Sequence, residues 1–329
     1  MPARAWKDIL ARTYKRTWDD NVALVSAGVA FYGFFALLSL LGLIVLAYGF
    51  IGDPHAVIVN MRALTTVLPK DVAILIGEQM MNAVKSSQGT KGFGIFLAAL
   101  VAIYGGTNGS VSVITALNIA YEEKEKRSFV RFYLLAVSMT LGALFAALAA
   151  LAATAAIGFI DNLLPQVPLA EVLIGKLAGY LVLAVLGALV ASILYRLGPS
   201  REEARWTWIT PGSAFTAIAW LLLTLAFGFY VSNFTNYNAS YGSLGDVVAL
   251  LTWMYLCAYA FVFGAELNSE IEHQTAKDST TGAPEPLGER GAWAADNVAT
   301  DDTVQDRPEK QREGADLTSA APKVAKEKG

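Results

Sequence analysis

Residues 93–120 read FGIFLAALVAIYGGTNGSVSVITALNIA, twenty-eight positions without one charged side chain. As a helix rising 1.5 Å per residue, such a stretch is longer than the roughly 30 Å hydrocarbon core of a bilayer. Five other long apolar runs lie at about 25–51, 132–160, 171–197, 207–232 and 243–268, with their few charged residues away from the middle. The chain therefore reads as an all-α, polytopic transmembrane helix bundle with about six spans. Its bulk composition agrees: it is 55% hydrophobic and only 16% charged, where soluble domains carry about a quarter charged residues.

The loops set the orientation. Lys124, Lys126, Arg127 and Arg131 follow the second run, and Arg196, Arg201 and Arg205 follow the fourth, whereas 161–170 and 233–242 hold no Lys or Arg. By the positive-inside rule, the termini and the short basic loops face the cytoplasm. Residues 1–24 are expected to be a cytoplasmic amphipathic helix at the headgroup level, with Trp6, Ile9, Leu10, Thr13 and Thr17 on one face and Arg12 and Arg16 mostly elsewhere; a helix packed on the rest of the protein is the alternative. Residues 25–270 form the six-span domain. The 52–92 connection is too long for a plain loop, and its spacing predicts two short helices that lie on the outer face or cap a cavity.

From Thr275 the composition turns to Ser, Thr, Pro and charge. Residues 275–329 are expected to be a disordered cytoplasmic tail. That tail holds 8 basic and 11 acidic residues, against 17 of each in residues 1–274, so the net charge of −3 belongs to it. Neither part is basic enough for a nucleic-acid partner. Cys257 stands alone, and His55 and His273 fall on opposite sides of the membrane. No disulfide framework, cofactor site, metal centre or His-based nucleophilic pair is expected, and the chain is not read as an enzyme. Nothing in the sequence decides whether copies associate.

Polar groups inside a span must be satisfied by protein or by cavity water. The densest cluster lies in the opening stretch: Gly105, Gly106, Thr107, Asn108, Gly109 and Ser110. Gly105 and Gly109 make a Gly-x-x-x-Gly pair that admits a close helix neighbour. Asn108 then either bonds across that crossing or lines a polar path. Tyr230, Phe234, Tyr237 and Tyr241 gather at the outer end of the last two spans, Trp206 and Trp208 at the inner end, and belt anchoring accounts for both groups. Arg196 and Arg201 are expected to snorkel to lipid phosphate. No Asp, Glu, Lys or Arg lies near the middle of a span. Glu266 falls near the inner interface, and the inner carboxylates Glu122, Glu123, Glu125, Glu202, Glu203, Glu266 and Glu270 read as solvated helix ends.

The last eighty residues of the span region carry a resemblance. Tyr195-Arg196 with Gly198-Pro199-Ser200-Arg201, Trp206, Pro211-Gly212, Trp220, Tyr237-Asn238 and Tyr241-Gly242-Ser243-Leu244-Gly245 come first. Trp253, Tyr255, Gly264-Ala265-Glu266-Leu267-Asn268 and Glu270 complete the set, with Ala30-Phe31-Tyr32 and Ala116-Leu117-Asn118 upstream. The chain resembles the YihY/virulence factor BrkB family of bacterial inner-membrane proteins over about residues 5–274. Members carry a Pro in the first span where this chain has Ser39, which removes the reason for a kink there.

The resemblance implies a six-span bacterial inner-membrane protein, and it implies less about activity, since members have been labelled ribonuclease, resistance factor and exporter of lipids or osmolytes. The first expectation is a transporter or exporter of a lipid or small zwitterionic or neutral solute. Thr107, Asn108 and Ser110 would line its path and Tyr237 and Tyr241 its outer mouth. Gly105, Gly109, Gly242, Gly245, Glu266 and Asn268 would be structural. The alternative is a non-transporting membrane scaffold or envelope assembly factor. The bilayer is the one expected partner besides a substrate.

Overall fold

The computed structural model describes residues 3–51, 91–163, 169–234 and 243–299. The helices are α1 (Ala3–Asp19), α2 (Val22–Ile51), α3 (Lys91–Ala120), α4 (Phe129–Leu163), α5 (Leu169–Leu197), α6 (Trp206–Phe234), α7 (Ser243–His273) and the short α8 (Trp293–Asp296). The described residues contain no strand, only one isolated bridge between Ala204 and Thr280. Among the described residues, six helices are long and apolar enough to cross a membrane. Between 6% and 33% of each spanning window is buried inside the protein. The large apolar side chains left outside, such as Leu134, Phe145, Leu181 and Phe229, would be an aggregation hazard in water and are at home against lipid.

The spanning helices pack in a cycle. α3 lies between α4 and α2, α2 against α7, α7 against α6, and α6 against α5, with light contact between α4 and α5 closing it. α1 docks on α7 and the start of α2. Two tight turns set this up. Asn21, at φ 50°, turns α1 into α2, and Glu122, at φ 56°, ends α3. Asn visits the left-handed region readily, whereas Glu does so only where its surroundings hold it. α2 runs unbroken through Ser39, whose hydroxyl donates to the Phe35 carbonyl at 2.8 Å.

The helix ends joined by 121–128 and 198–205 meet α1 and the segment after α7 at one end of the bundle, here the capped end. The buried hydrophobic cluster sits there: Val22, Ala116, Leu117, Tyr121, Tyr195, Ile209, Val262 and Ala265. A smaller cluster of Ile9, Leu267 and Ile271, with Trp208 against it, holds α1 on α7.

Two expectations change here. α1 does not lie free at a headgroup surface: Ile9, Thr13, Arg16 and Thr17 face inward and are buried, while Trp6 and Leu10 are exposed. The tail reading is corrected for residues 275–299, which fold back over the capped end. The Arg205 N–H donates to the Ser279 carbonyl at 2.9 Å, Thr281 N–H to Glu203 at 2.8 Å, and Ala299 N–H to His273 at 2.8 Å. Composition alone cannot see this, because the segment is ordered by hydrogen bonds to a preformed surface and not by an apolar period. Residues 300–329, the 52–90 part of the long connection, Tyr237, Tyr241 and Gly242 lie outside the described residues.

Candidate functional site

The capped end is held by a buried ionic network. On α1, Arg12 and Arg16 stand four residues apart; on α7, so do Glu266 and Glu270. On docked helices that spacing brings them together. Arg16 Nε lies 2.6 Å from Glu270 Oε1, and Arg12 Nε 2.6 Å from Glu270 Oε2. Arg16 Nη2 reaches Glu122 at 3.2 Å, and its Nη1 is 3.9 Å from Glu266. The left-handed turn at Glu122 is what aims its carboxylate at α1. The Arg16, Glu266 and Glu270 side chains are at most 1% exposed.

A second pair, Arg201 and Glu272 at 2.7 Å, is as deeply buried. Glu272 also accepts from the Ser279 hydroxyl at 2.7 Å, and Arg201 lies over the Tyr121 ring at 4.9 Å. Burial works against the Arg201 charge, but the facing Glu272 carboxylate more than offsets it and holds the guanidinium above its ordinary value. Burial first, and Glu272 next, push the Tyr121 phenol well up. Thus Glu123, Glu266 and Glu270 are buried and are not solvated helix ends, whereas Glu125, Glu202 and Glu203 are exposed as expected, and Arg16 is not on a polar outer face. Nor does Arg201 snorkel, and Arg196 pairs with Glu203 at 2.7 Å while covering the Trp206 ring. The i,i+4 match between Arg12/Arg16 and Glu266/Glu270 was a legible signal for the network. Hydropathy assigned each charge outward because it weighs residues singly.

The segment after α7 seals this network. The Trp293 N–H donates to Glu123 Oε1 at 2.6 Å, and its ring stacks under Arg16 at 4.8 Å. Arg290 donates to the carbonyls of Ala295 at 2.7 Å and Ala276 at 2.9 Å. Asp278 accepts from Thr280 N–H at 2.9 Å and Glu285 N–H at 3.0 Å. Burial opposes its charge, yet those N–H donors and the Thr280 hydroxyl win and hold its carboxyl below the usual range.

Next to the network, α6 and α7 cross almost backbone to backbone. Pro211 cannot donate in α6, and Asn268 of α7 serves the adjacent break. Its Oδ1 accepts from Gly212 N–H at 2.7 Å, and its Nδ2 donates to the Ile209 carbonyl at 3.1 Å. A Cβ at Gly212 would collide with the Gly264 carbonyl and with Asn268, and one at Gly264 with Thr216 and Tyr195. The Tyr195 hydroxyl donates to the Phe261 carbonyl at 2.6 Å, tying α5 to the crossing. Asn118 of α3 accepts from Ser200 N–H at 2.7 Å, and Arg127 donates to the carbonyls of Leu197, Gly198 and Pro199. Six of the residues that carry the family resemblance, Asn118, Tyr195, Ser200, Gly212, Gly264 and Asn268, therefore bond or pack at this end of the bundle.

The Gly105–Ser110 cluster sits between neighbours. A Cβ at Gly105 would come within 2.7 Å of Ser39 Oγ, and one at Gly109 within 3.6 Å of Ala36 and Tyr32. Thr107 donates back to the Ile103 carbonyl at 2.6 Å, and Ser110 bonds Thr140 of α4 at 2.8 Å. Asn108 is half-buried. The structure thus places the glycines at the α2–α3 crossing and Ser110 at the α3–α4 contact.

Away from the capped end, α6 and α7 part to leave a cleft of about 600 Å³. Leu223, Phe227 and Tyr230 line one wall, and Val248, Trp253 and Leu256 the other, with Gly245 at its end. Phe227 and Trp253 stack at 5.7 Å, and the Trp253 indole N–H, though buried, has no hydrogen-bond partner. The cleft opens sideways, for Ala226, Val248, Thr252 and Leu256 on its edges are exposed. Among the described residues no group of three or more His, Cys, Asp or Glu side chains is arranged to hold a metal ion.

A six-span helical bundle with lipid-facing flanks and one sealed end defines a polytopic membrane protein. The chain belongs to the virulence factor BrkB family, whose profile matches residues 13–287. The match runs past α7 into the folded segment. It is similar to a putative ribonuclease-like protein, YfkH, of Bacillus subtilis (strain 168), at 29% identity, covering 68% of this chain and 86% of that one. A UPF0761 membrane protein of Vibrio campbellii (strain ATCC BAA-1116) is 27% identical over 68% of this chain and 64% of its own length. Another, of Stenotrophomonas maltophilia (strain K279a), is 31% identical over 24% of this chain and 19% of its own. The chain thus spans less than two thirds of the latter two relatives. No solved structure matches it.

Proposed function

We propose that this protein moves an amphipathic molecule, a lipid or a small zwitterionic or neutral solute, across the bacterial inner membrane. The capped end faces the cytoplasm. The basic residues of α1 and of the loops at 121–128 and 198–205 all belong to that end, as the positive-inside rule requires.

The observation that carries the reading is the cleft between α6 and α7. A volume of about 600 Å³ lies within the range of small-molecule sites, which are mostly apolar with a few placed polar groups. Its lateral opening admits a molecule from the bilayer, and the unpaired Trp253 indole offers one donor at an otherwise apolar wall. Thr107 and Ser110 spend their hydroxyls within the bundle, so the half-buried Asn108 is the member of that cluster left for a polar path.

The ribonuclease-like label belongs to the Bacillus relative. In this chain the buried carboxylates of the capped end, Glu266, Glu270 and Glu272, face arginines, and the exposed Glu202 and Glu203 belong to no group of three or more His, Cys, Asp or Glu arranged to hold a metal ion among the described residues.

Reconstitution in liposomes tests the proposal, following transbilayer movement of labelled phospholipid and release of a trapped betaine-type solute in parallel. Flux of one cargo above empty vesicles, lost when Ala249→Trp fills the cleft and kept in Ala146→Trp on α4, is the expected result. Absence of flux for both cargoes, with the protein folded, overturns it.

A further inference from the structure

Glu266 is the carboxylate of the Arg16 network with the longest ion pair and no hydrogen bond. Its side chain is 0% exposed, and neither carboxyl oxygen accepts a hydrogen bond. The nearest cation, Arg16 Nη1, is 3.9 Å away. That guanidinium already has Glu270 at 2.6 Å and Glu122 at 3.2 Å. Its Nη1 also donates to the Ser269 hydroxyl at 3.4 Å.

The other groups facing Glu266 make an anion there worse. Asp20 from the turn after α1, Glu122 and Tyr121 from the turn after α3, and Glu270 from its own helix all present the same sign of charge or a neutral phenol. α2 and α6, which also pack on α7, carry no Asp, Glu, Lys, Arg or His at all. A carboxylate without donors, out of water and opposed by like charges, is costly, and a carboxylic acid is not. Like-charged carboxyls that share a site keep a proton among them for the same reason.

We propose that Glu266 is a proton-binding site: it holds a proton while α1 and the 275–299 segment cover it, and releases it to water when they lift.

Arg16 of α1 sits over the carboxyl, and Trp293 of the folded segment closes over Arg16 at 4.8 Å. Proton binding and docking are therefore linked. The covered form binds one more proton than the lifted form, so acid favours the cover and rising pH weakens it. The ligand here is the proton itself, and the inference stands whether or not the cleft between α6 and α7 takes a lipid.

Hydrogen–deuterium exchange on the full chain in lipid nanodiscs tests it. Protection factors in α1 and 275–299, corrected for intrinsic exchange, should fall in the wild type from mildly acidic to mildly alkaline pH. The slope approaches about tenfold per pH unit, the value one linked proton produces. Glu266→Gln, an uncharged group of the same shape as the acid, should stay protected across the range. A wild type with flat protection overturns the proposal. So does a Gln variant that keeps the wild-type slope, or one that fails to fold or loses protection at every pH, since then the anion is what the cover needs. Infrared spectra of the wild type at neutral pH provide a second reading that needs no variant. The carbonyl band of a protonated carboxyl is expected, and its absence overturns the assignment.

Discussion

The two ends of the α6–α7 pair are built on opposite terms. At the capped end the helices touch through Gly212 and Gly264, Asn268 repairs the backbone next to Pro211, and buried arginines and carboxylates fill what remains. Toward the other end the same two helices part around an apolar cleft of about 600 Å³ walled by aromatic and aliphatic side chains. One end is specified by contacts that admit little change in shape or charge. The other is a space that many side chains could line. In a membrane, apolar surface gains nothing by leaving lipid for protein, so tight association falls to small residues and polar bonds. The capped end uses both, and the open cleft uses neither.

That contrast can be broken first at Arg16. Its removal takes one of two arginines from the buried Glu270 and the cation from the half-buried Glu122, and loss of one partner of a buried pair costs about 3–5 kcal/mol. Arg16→Met should therefore destabilise the protein by about that amount in denaturant unfolding in detergent, while Leu222→Met on the lipid face stays near neutral. A small effect at Arg16 would mean that the network is solvated and the contrast overdrawn.

The crossing comes next. Gly212→Ala should cost about 1–3 kcal/mol, because overpacking a close contact forces the helices apart. Ala226→Val in the cleft should cost much less. Asn268→Leu follows, at about 1–3 kcal/mol for the unsatisfied Gly212 N–H and Ile209 carbonyl, with Asn268→Gln recovering little, since a longer amide does not fit the same two partners. Both are read from thermal unfolding.

The smallest effect belongs to Asp278. Its carboxyl is held low in the folded segment, so the stability it contributes is present above the ordinary carboxylate range and lost as pH falls through the depressed folded value. Loosening of 275–299 on acidification, seen by limited proteolysis and already present at neutral pH in Asp278→Asn, would sharpen the picture of an end sealed by specific bonds. The sign is opposite to that expected of Glu266, so the two groups are separable on one pH axis.

Much of the architecture was legible along the chain. The six long apolar runs carry the spanning helices because the bilayer imposes length and polarity on each helix separately, and a local rule is readable locally. The Gly105–Gly109 spacing announced a close crossing, and α2 and α3 meet there. The glycine-proline and Glu-Leu-Asn motifs were visible as a family resemblance, but nothing in them said that Asn268 would mend the break beside Pro211.

Charge was where reading residue by residue went astray. Arg16, Arg201 and Glu270 were assigned to water or headgroups because a lone buried charge is prohibitively costly. Residues 275–299 were assigned to disorder because they cannot bury an apolar face of their own. By itself, then, the sequence determined that the chain is helical, spans a membrane about six times and gathers its basic residues at one end. Only the tertiary structure decided which charges meet, which carboxylate of the Arg16 network is left without a hydrogen bond, what covers them and where the helices part. Those outcomes depend on pairs of residues as far apart as Arg16 and Glu270, and a pair's energy exists only once packing has set the distance between its members.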